Sequence, residues 1–407
     1  VVNDAFLPMC QAPQECMLAI IHTSPSHGIS NKTDVLNGFH LHNKSKQLRR
    51  QMPTPLNRVW KIYSCTILAK KCRTKGVDMM KTLVKYEFLK ILRKKSTFIV
   101  MTVSLLLTVF LFGLPILQYQ TYNADGVIKG LDGIAYTKEQ YSQISVPLTD
   151  EYISETIREV QELFENPDNV GFDGTDQFLI GDAYWNDIAP REELLKTIAS
   201  TYAAPGVTAW YSSLPDVDIA NGANFYQARE EKIAALLNDS SRGLSDEQKE
   251  YWQNMNSQVE TPFQYGYYEG WLTINTCFEL LMFAIVAVCI VLAPVFSGEY
   301  QAGTDAVILS GKYGKTKLTT AKIIASYLFG LLAFTIHILV AFGLPLAAFG
   351  VDGWNLPMQI AGTSIPYPFT FLQGILVNLG VIYFVLFAMI GLTLVLSSKM
   401  RSPYLVL

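Results

Sequence analysis

Four long apolar stretches constrain this chain most. Residues 97–118, 273–297, 323–350 and 371–397 each carry at most one charged side chain. As a helix, each is long enough to cross a hydrocarbon core of about 30 Å. Backbone polar groups inside that core must be satisfied within the segment, so these spans are expected to be helical. A long hydrophilic insertion, 119–272, separates the first span from the second, and short connections at 298–322 and 351–370 join the others. The expected architecture is an α-helical polytopic membrane protein with a domain inserted between its first two spans, and a soluble globular protein is excluded.

Orientation follows from the basic residues of each connection. Lys81, Lys85, Lys90, Arg93, Lys94 and Lys95 precede the first span, and Lys312, Lys315, Lys317 and Lys322 lie at or beside the 298–322 loop. Lys399 and Arg401 follow the fourth span, whereas 351–370 has no Lys or Arg. The basic connections and the N-terminal side are therefore expected in the cytoplasm, and 119–272 is expected to be extracytoplasmic. Its charge fits, with 26 Asp/Glu against 9 Lys/Arg. Tyr119, Tyr122, Tyr265, Tyr267, Tyr268, Trp271, Trp354 and Tyr367 gather at the predicted outer ends, where amphipathic rings favour the headgroup level; any one of them could equally be domain core, but the grouping supports the assigned ends. The inserted domain has no cysteine and must rest on its own core, since Cys277 and Cys289 lie in the second span.

Residues 1–78 read differently from the rest. They hold four of the five His, four of the six Cys, and 11 Lys/Arg against 4 Asp/Glu, with no sustained period. Lys75-Gly76-Val77-Asp78 back-translates to a purine-rich bacterial ribosome-binding sequence just ahead of Met79-Met80. The segment is expected to be a translated upstream leader in a bacterial gene, outside the fold, with a basic cytoplasmic tail as the competing reading. Residues 398–407 are expected to be a cytoplasmic turn and the start of a fifth span, with further spans following.

Residues 79–96 place Val84, Phe88, Ile91 and Leu92 at helical spacing, with lysines around the remaining turn. This predicts an amphipathic helix lying in the inner interface of the bilayer. The connection after the second span reads as a short helix at about 299–310, stopped near Gly311 and followed by a basic turn. Gly314-Lys315-Thr316 ends like a phosphate-binding loop, but Leu309 stands where that motif needs its first glycine, and no strand precedes it. No ATP site or other cofactor site is expected in this chain.

The pattern Ser297-Gly298-Glu299-Tyr300-x-x-Gly303-Thr304, then Leu309, the basic turn and Ala321-Lys322 before a span, resembles the loop after the second span of ABC-2-type transporter permeases. The opening Met80-Lys81-x-x-x-Lys85-Tyr86-Glu87-Phe88-x-Lys90 is similar to the start of those permeases, and the large domain between spans one and two occurs in one branch of the family. The resemblance implies an ABC-2 permease-like bundle of six spans with a helix-rich extracytoplasmic domain. Such a subunit pairs with a second permease copy or a homologous permease, and a separate ATPase subunit that holds ATP and Mg drives it. Glu299, Gly303, Thr304, Leu309 and Lys322 are the coupling residues it implies, on a helix resting against the ATPase.

In the inserted domain, helices are predicted after Leu148-Thr149-Asp150, from Pro190 to about Tyr202, over about 225–237, and after Ser245, which forms a capping box with Gln248. The acidic, glycine-bearing segment 166–176 lacks the alternation of oxygen ligands that calcium needs and reads as a solvated loop. Glu279 and His337 are the ionisable residues at membrane depth, and such residues are functional candidates. Snorkelling or pairing competes with a substrate role for Glu279, and an interhelical hydrogen bond competes with a proton relay for His337. Pro294 and Pro345 are candidate kinks.

Three classes remain: a transport permease, a sensor whose acidic outer domain binds a ligand, and a membrane enzyme. A sensor needs a cytoplasmic signalling domain, and the short inner loops leave no room for one. An enzyme needs clustered His, Asp and Glu at the membrane ends, where only isolated ones occur. The leading expectation is a permease, most simply an exporter, in a bacterial plasma membrane, with no nucleic-acid partner.

Overall fold

The computed structural model describes residues 79–406 apart from Thr175, Thr208 and Lys312. The leader expected at 1–78 lies outside the described residues. The chain divides into two units, Val1–Lys85 and Tyr86–Leu407. Residues 79–92 are helical. Everything below concerns the second unit.

Four helical segments are long and apolar enough to cross a membrane: Lys95–Gln118, Glu269–Val295, Gly314–Phe349 and Phe371–Lys399. The first is helix α1, Lys95–Gln118, whose buried face is Thr97, Ser104, Thr108 and Phe112. Small and hydroxylated side chains let backbones approach in an apolar medium. This stripe packs against the second and third spans.

The inserted domain follows. Hairpin β1 (Gln120–Asn123) and β2 (Gly126–Lys129) turns on Asn123, whose Oδ1 accepts from the backbone N–H of Asp125 and Gly126. Helix α2 (Gly130–Ser142) and strand β3 (Val146–Pro147) lead to α3 (Asp150–Glu165), where the Thr149 hydroxyl accepts from the backbone N–H of Tyr152. That capping residue sets the helix start. Segment 166–176 is solvated, as expected, but it is not an irregular loop. It is a 3-10 turn, Pro167–Asn169, entering hairpin β4 (Val170–Asp173) and β5 (Asp176–Leu179). Gly174, at φ 63°, takes the first position of the two-residue turn closed by the Asp173–Asp176 pair, a hairpin signal that the acidic composition masked.

Helices α4 (Glu192–Tyr202), α5 (Phe225–Asn238) and α6 (Asp246–Ser257) stand where the sequence put them, and α6 carries the Ser245–Gln248 capping box. Strand β6 (Gln264–Tyr265) pairs antiparallel with β3, drawing the two ends of the domain together.

The core of this domain runs without a break into the spans. Ile153, Ile157, Leu194, Ile198 and Phe225 belong to one cluster with Trp271 and Ile274 of the second span, Leu356 and Ile360 of the 351–370 loop, and Phe371 and Ile375 of the fourth span. Tyr265, Tyr267, Tyr268 and Trp271 are accordingly buried in protein, and Tyr268 stacks on Phe371. For these four the alternative of domain core holds rather than the interfacial one, because the domain covers the bundle end that they would otherwise present to headgroups. Tyr122, Trp354 and Tyr367 are exposed.

The second span is built from α7 (Glu269–Cys277), a 3-10 turn at Phe278–Leu281, α8 (Met282–Leu292) and a second 3-10 turn at Ala293–Val295. Pro294 sits in that last turn. The Ser397 hydroxyl, from the end of the fourth span, donates to the Ala293 carbonyl at 2.6 Å and accepts from the backbone N–H of Phe296 and Ser297, each at 3.1 Å. A serine of a neighbouring helix thus satisfies backbone groups freed where the helix breaks. Two short helices follow, α9 (Ser297–Gln301) and α10 (Asp305–Ser310), then α11 (Thr319–Phe349) and α12 (Phe371–Lys399). Pro345 lies inside α11, which continues to Phe349.

Candidate functional site: an ionic junction beside two short helices

At the end of the bundle opposite the inserted domain, three pieces of chain converge. They are residues 86–94, the 296–311 connection and the first turn of α11. Lys322 is only 3% exposed, and its Nζ lies 2.6 Å from Oε1 of Glu299 and 2.9 Å from Oε2 of Glu87. Lys90 Nζ donates to the same Glu299 oxygen at 2.8 Å. Two ammonium groups and two carboxylates so form one connected network, with the Phe296 ring 5.9 Å from the Lys322 nitrogen. A buried cation left without partners would cost several kcal/mol, on the order of 3–5. The network therefore fixes the three pieces in one relative arrangement.

Electrostatics agree. Burial on its own would raise the Glu299 carboxyl, but hydrogen bonds from Lys322 and Lys90 more than reverse this and hold it below the ordinary value. Burial would lower Lys90, yet its bond to Glu299 and the nearby Glu87 raise it.

The backbone that presents Glu299 is set by Gly303. The Thr304 N–H bonds to the Glu299 carbonyl at 3.0 Å and the Gly303 N–H to the Tyr300 carbonyl at 3.1 Å, with Gly303 at φ 65°. This pair of bonds is a Schellman ending, which needs a left-handed residue and favours glycine. One helix over 299–310 is therefore corrected to two, α9 and α10, because a residue at that φ cannot continue a right-handed helix. Gly314 packs so close to the Ile308 carbonyl that a Cβ there would collide with it.

Of the residues singled out from sequence, Glu299 and Lys322 meet directly. Gly303 and Thr304 form the turn between the short helices, and the Thr304 hydroxyl also donates to the Glu299 carbonyl, at 3.3 Å. Leu309 is exposed on α10 beside the more exposed Val307, and no residue of that helix is buried. His337 and Glu279 lie elsewhere. His337 is buried between α1 and α11, its Nδ1 2.8 Å from the Ala333 carbonyl and its Nε2 3.0 Å from the Ser104 hydroxyl. A carbonyl only accepts, so Nδ1 carries the proton and Nε2 accepts from Ser104. Glu279 is exposed on the span surface, in the 3-10 turn, and its side chain has no hydrogen bond or ion pair among the described residues.

Glu87, Lys90 and Ser397 were missed as site residues. Glu87 was findable, being the one acid between Met80 and Lys95. Ser397 gave no signal, because a serine ending an apolar span is ordinary.

The sequence matches the family model described as ABC-2 family transporter protein over residues 81–405. The chain belongs to that family. Its membrane-embedded helices are those of an ABC-2 transport permease, and membership implies partnership with an ABC ATPase in general. No curated protein and no solved structure matches it. In this ABC-2 permease the motif residues stand at one end of the spans, around a junction that residues distant in sequence complete.

Proposed function

We propose that this permease is the membrane subunit of an exporter that works as a dimer and is driven by separate ATPase subunits in a bacterial plasma membrane. The observation that carries the reading is the Lys322–Glu299–Glu87–Lys90 junction next to α10, whose Val307 and Leu309 are left uncovered. A docking surface rigidly tied to the starts of the first and third spans can convert a push on α10 into span movement. The basic residues at this end, among them Lys315 and Lys317, favour the cytoplasm, and the acidic inserted domain favours the exterior.

The test is reconstitution with a candidate ATP-binding-cassette ATPase. Glu299→Ala and Gly303→Val should abolish transport-linked ATP hydrolysis while the protein stays in the membrane; normal stimulation by both variants would rule the assignment out. Topology is tested in a cysteine-free background. Cysteines placed at Ser240 and Asp352 should react with an impermeant thiol reagent in intact cells, and one at Lys315 should not. Labelling at Lys315 without permeabilisation would invert the orientation.

A further inference from the structure

We propose that the inserted domain carries a binding cleft for a short cationic peptide, a function that goes beyond the transport reading and does not depend on it. The cleft is an open cavity of about 720 Å³ between α4, α5 and the segment around 209–218. Its volume falls within the range of about 300–1,000 Å³ typical of ligand pockets. Tyr202 and Trp210 supply aromatic wall, Asp216 and Asp218 line it from the connecting segment, and Gln227 and Glu231 line it from α5. Among the described residues, no Lys or Arg lines it.

The aromatic wall is held in place. Tyr202 donates from its hydroxyl to the Ala223 carbonyl at 3.0 Å, and the Lys196 ammonium lies 5.0 Å from the centre of the Trp210 ring. Trp210 is still half exposed. The Trp210 indole, whose ring Lys196 already engages, offers apolar surface, and Asp216, Asp218 and Glu231, which have no ion partner among the described residues, offer negative charge, a combination that suits a ligand with a positive charge on an apolar body. Acids on both α5 and the facing segment call for more than one cation, and the cleft is open to solvent, so it admits a chain. Those two facts favour a peptide over a compact single cation. The surrounding domain, with 26 acids against 9 bases over 119–272, adds a long-range field that draws such a ligand in.

The cleft also lies on helices that grip the spans. Gln227 and Glu231 face it, while Arg229 points the other way and is 2% exposed, its Nε donating to the Thr363 carbonyl at 2.8 Å and its Nη2 to that of Ile365 at 3.2 Å. On α4, Thr197 and Thr201 bond Ile360 and Thr363 from the face away from the cleft. An occupant of the cleft therefore touches the two helices that hold the loop between the third and fourth spans.

The test uses the full-length protein in nanodiscs and a fluorescein-labelled hexapeptide of alternating Arg and Trp, read by anisotropy. The expected result is saturable binding. It weakens about tenfold in the combined variant Asp216→Asn, Asp218→Asn, Glu231→Gln, because three partly exposed charge contacts together account for that much. It also weakens in Trp210→Ala, which keeps every charge. Neutralising Asp246, Glu247 and Glu250 on α6 removes the same charge and should change affinity less than about twofold, an effect of the domain's field alone. Equal losses in the two triple variants, or no loss in Trp210→Ala, would overturn the proposal, as would equal binding of a Glu/Trp hexapeptide. Thermal melting of each variant shows that the domain is intact. ATPase stimulation is measured separately, so loss of peptide binding and failure of the transport reading give different results.

Discussion

Lys322 and Glu299, separated by the two short helices and a tight turn, share an ion pair of 2.6 Å, and the lysine has almost no contact with solvent. The pair closes the connection between the second and third spans at its base.

Removing one partner should therefore cost more than removing both. Lys322→Met alone should destabilise the protein by about 3 kcal/mol, because it leaves carboxylates behind in a poorly solvated place. Adding Glu299→Gln should recover part of the loss, with a coupling energy of about 1–3 kcal/mol for residues in one network. Chemical denaturation of the four proteins in mild detergent measures the cycle. Additive losses would show that the two side chains act independently.

Acid should dissolve the same junction. The Glu299 carboxyl is held below its ordinary value in the folded protein, so its contribution is present above the unfolded value and is lost as pH falls through the folded one. The melting-temperature difference between wild type and Glu299→Gln should be constant above about pH 5 and shrink below about pH 4, given an unfolded Glu near 4.3. A difference that is flat down to pH 3 contradicts this.

Gly303 separates backbone demand from space, since nothing lies within 4 Å of where its Cβ would sit and its φ is 65°. Asn tolerates that conformation and a β-branched residue does not. Gly303→Val should lose about 1–2 kcal/mol and Gly303→Asn a fraction of it, with ATPase stimulation falling in the same order. Equal effects of the two substitutions would point to a role other than the turn.

Ser397→Ala should expose the broken end of the second span. It leaves the N–H of Phe296 and of Ser297 without the hydroxyl that both donate to, an expected loss of about 1–3 kcal/mol. Hydrogen exchange at those two amides should accelerate while exchange in the inserted domain stays unchanged.

The spans and the helices of the inserted domain were legible because their signals are local. Apolar length marks a span, and Thr149 and Ser245 mark helix starts wherever the fold puts them. Glu299, Gly303 and Lys322 were legible only as a motif. Their physical meaning needed Glu87 and Lys90, which lie more than two hundred residues away in sequence. The buried tyrosines at 265–268 were left open between interface and core for a related reason. A ring at the end of a span looks the same in sequence whether lipid or protein covers it, and only the tertiary core decides.

That core has a consequence for how the molecule is made. Leu148, Ile157 and Phe225 come from one stretch of chain, while Leu356, Ile360 and Phe371 come from another, with two membrane-crossing segments synthesised in between. A ribosome that has just finished residue 268 has delivered an unfinished domain, with an apolar face and the Arg229 guanidinium still waiting for the carbonyls of Thr363 and Ile365. Completion comes only after Phe371 emerges. Burial of the domain's last apolar face therefore waits on correct placement of the third and fourth spans.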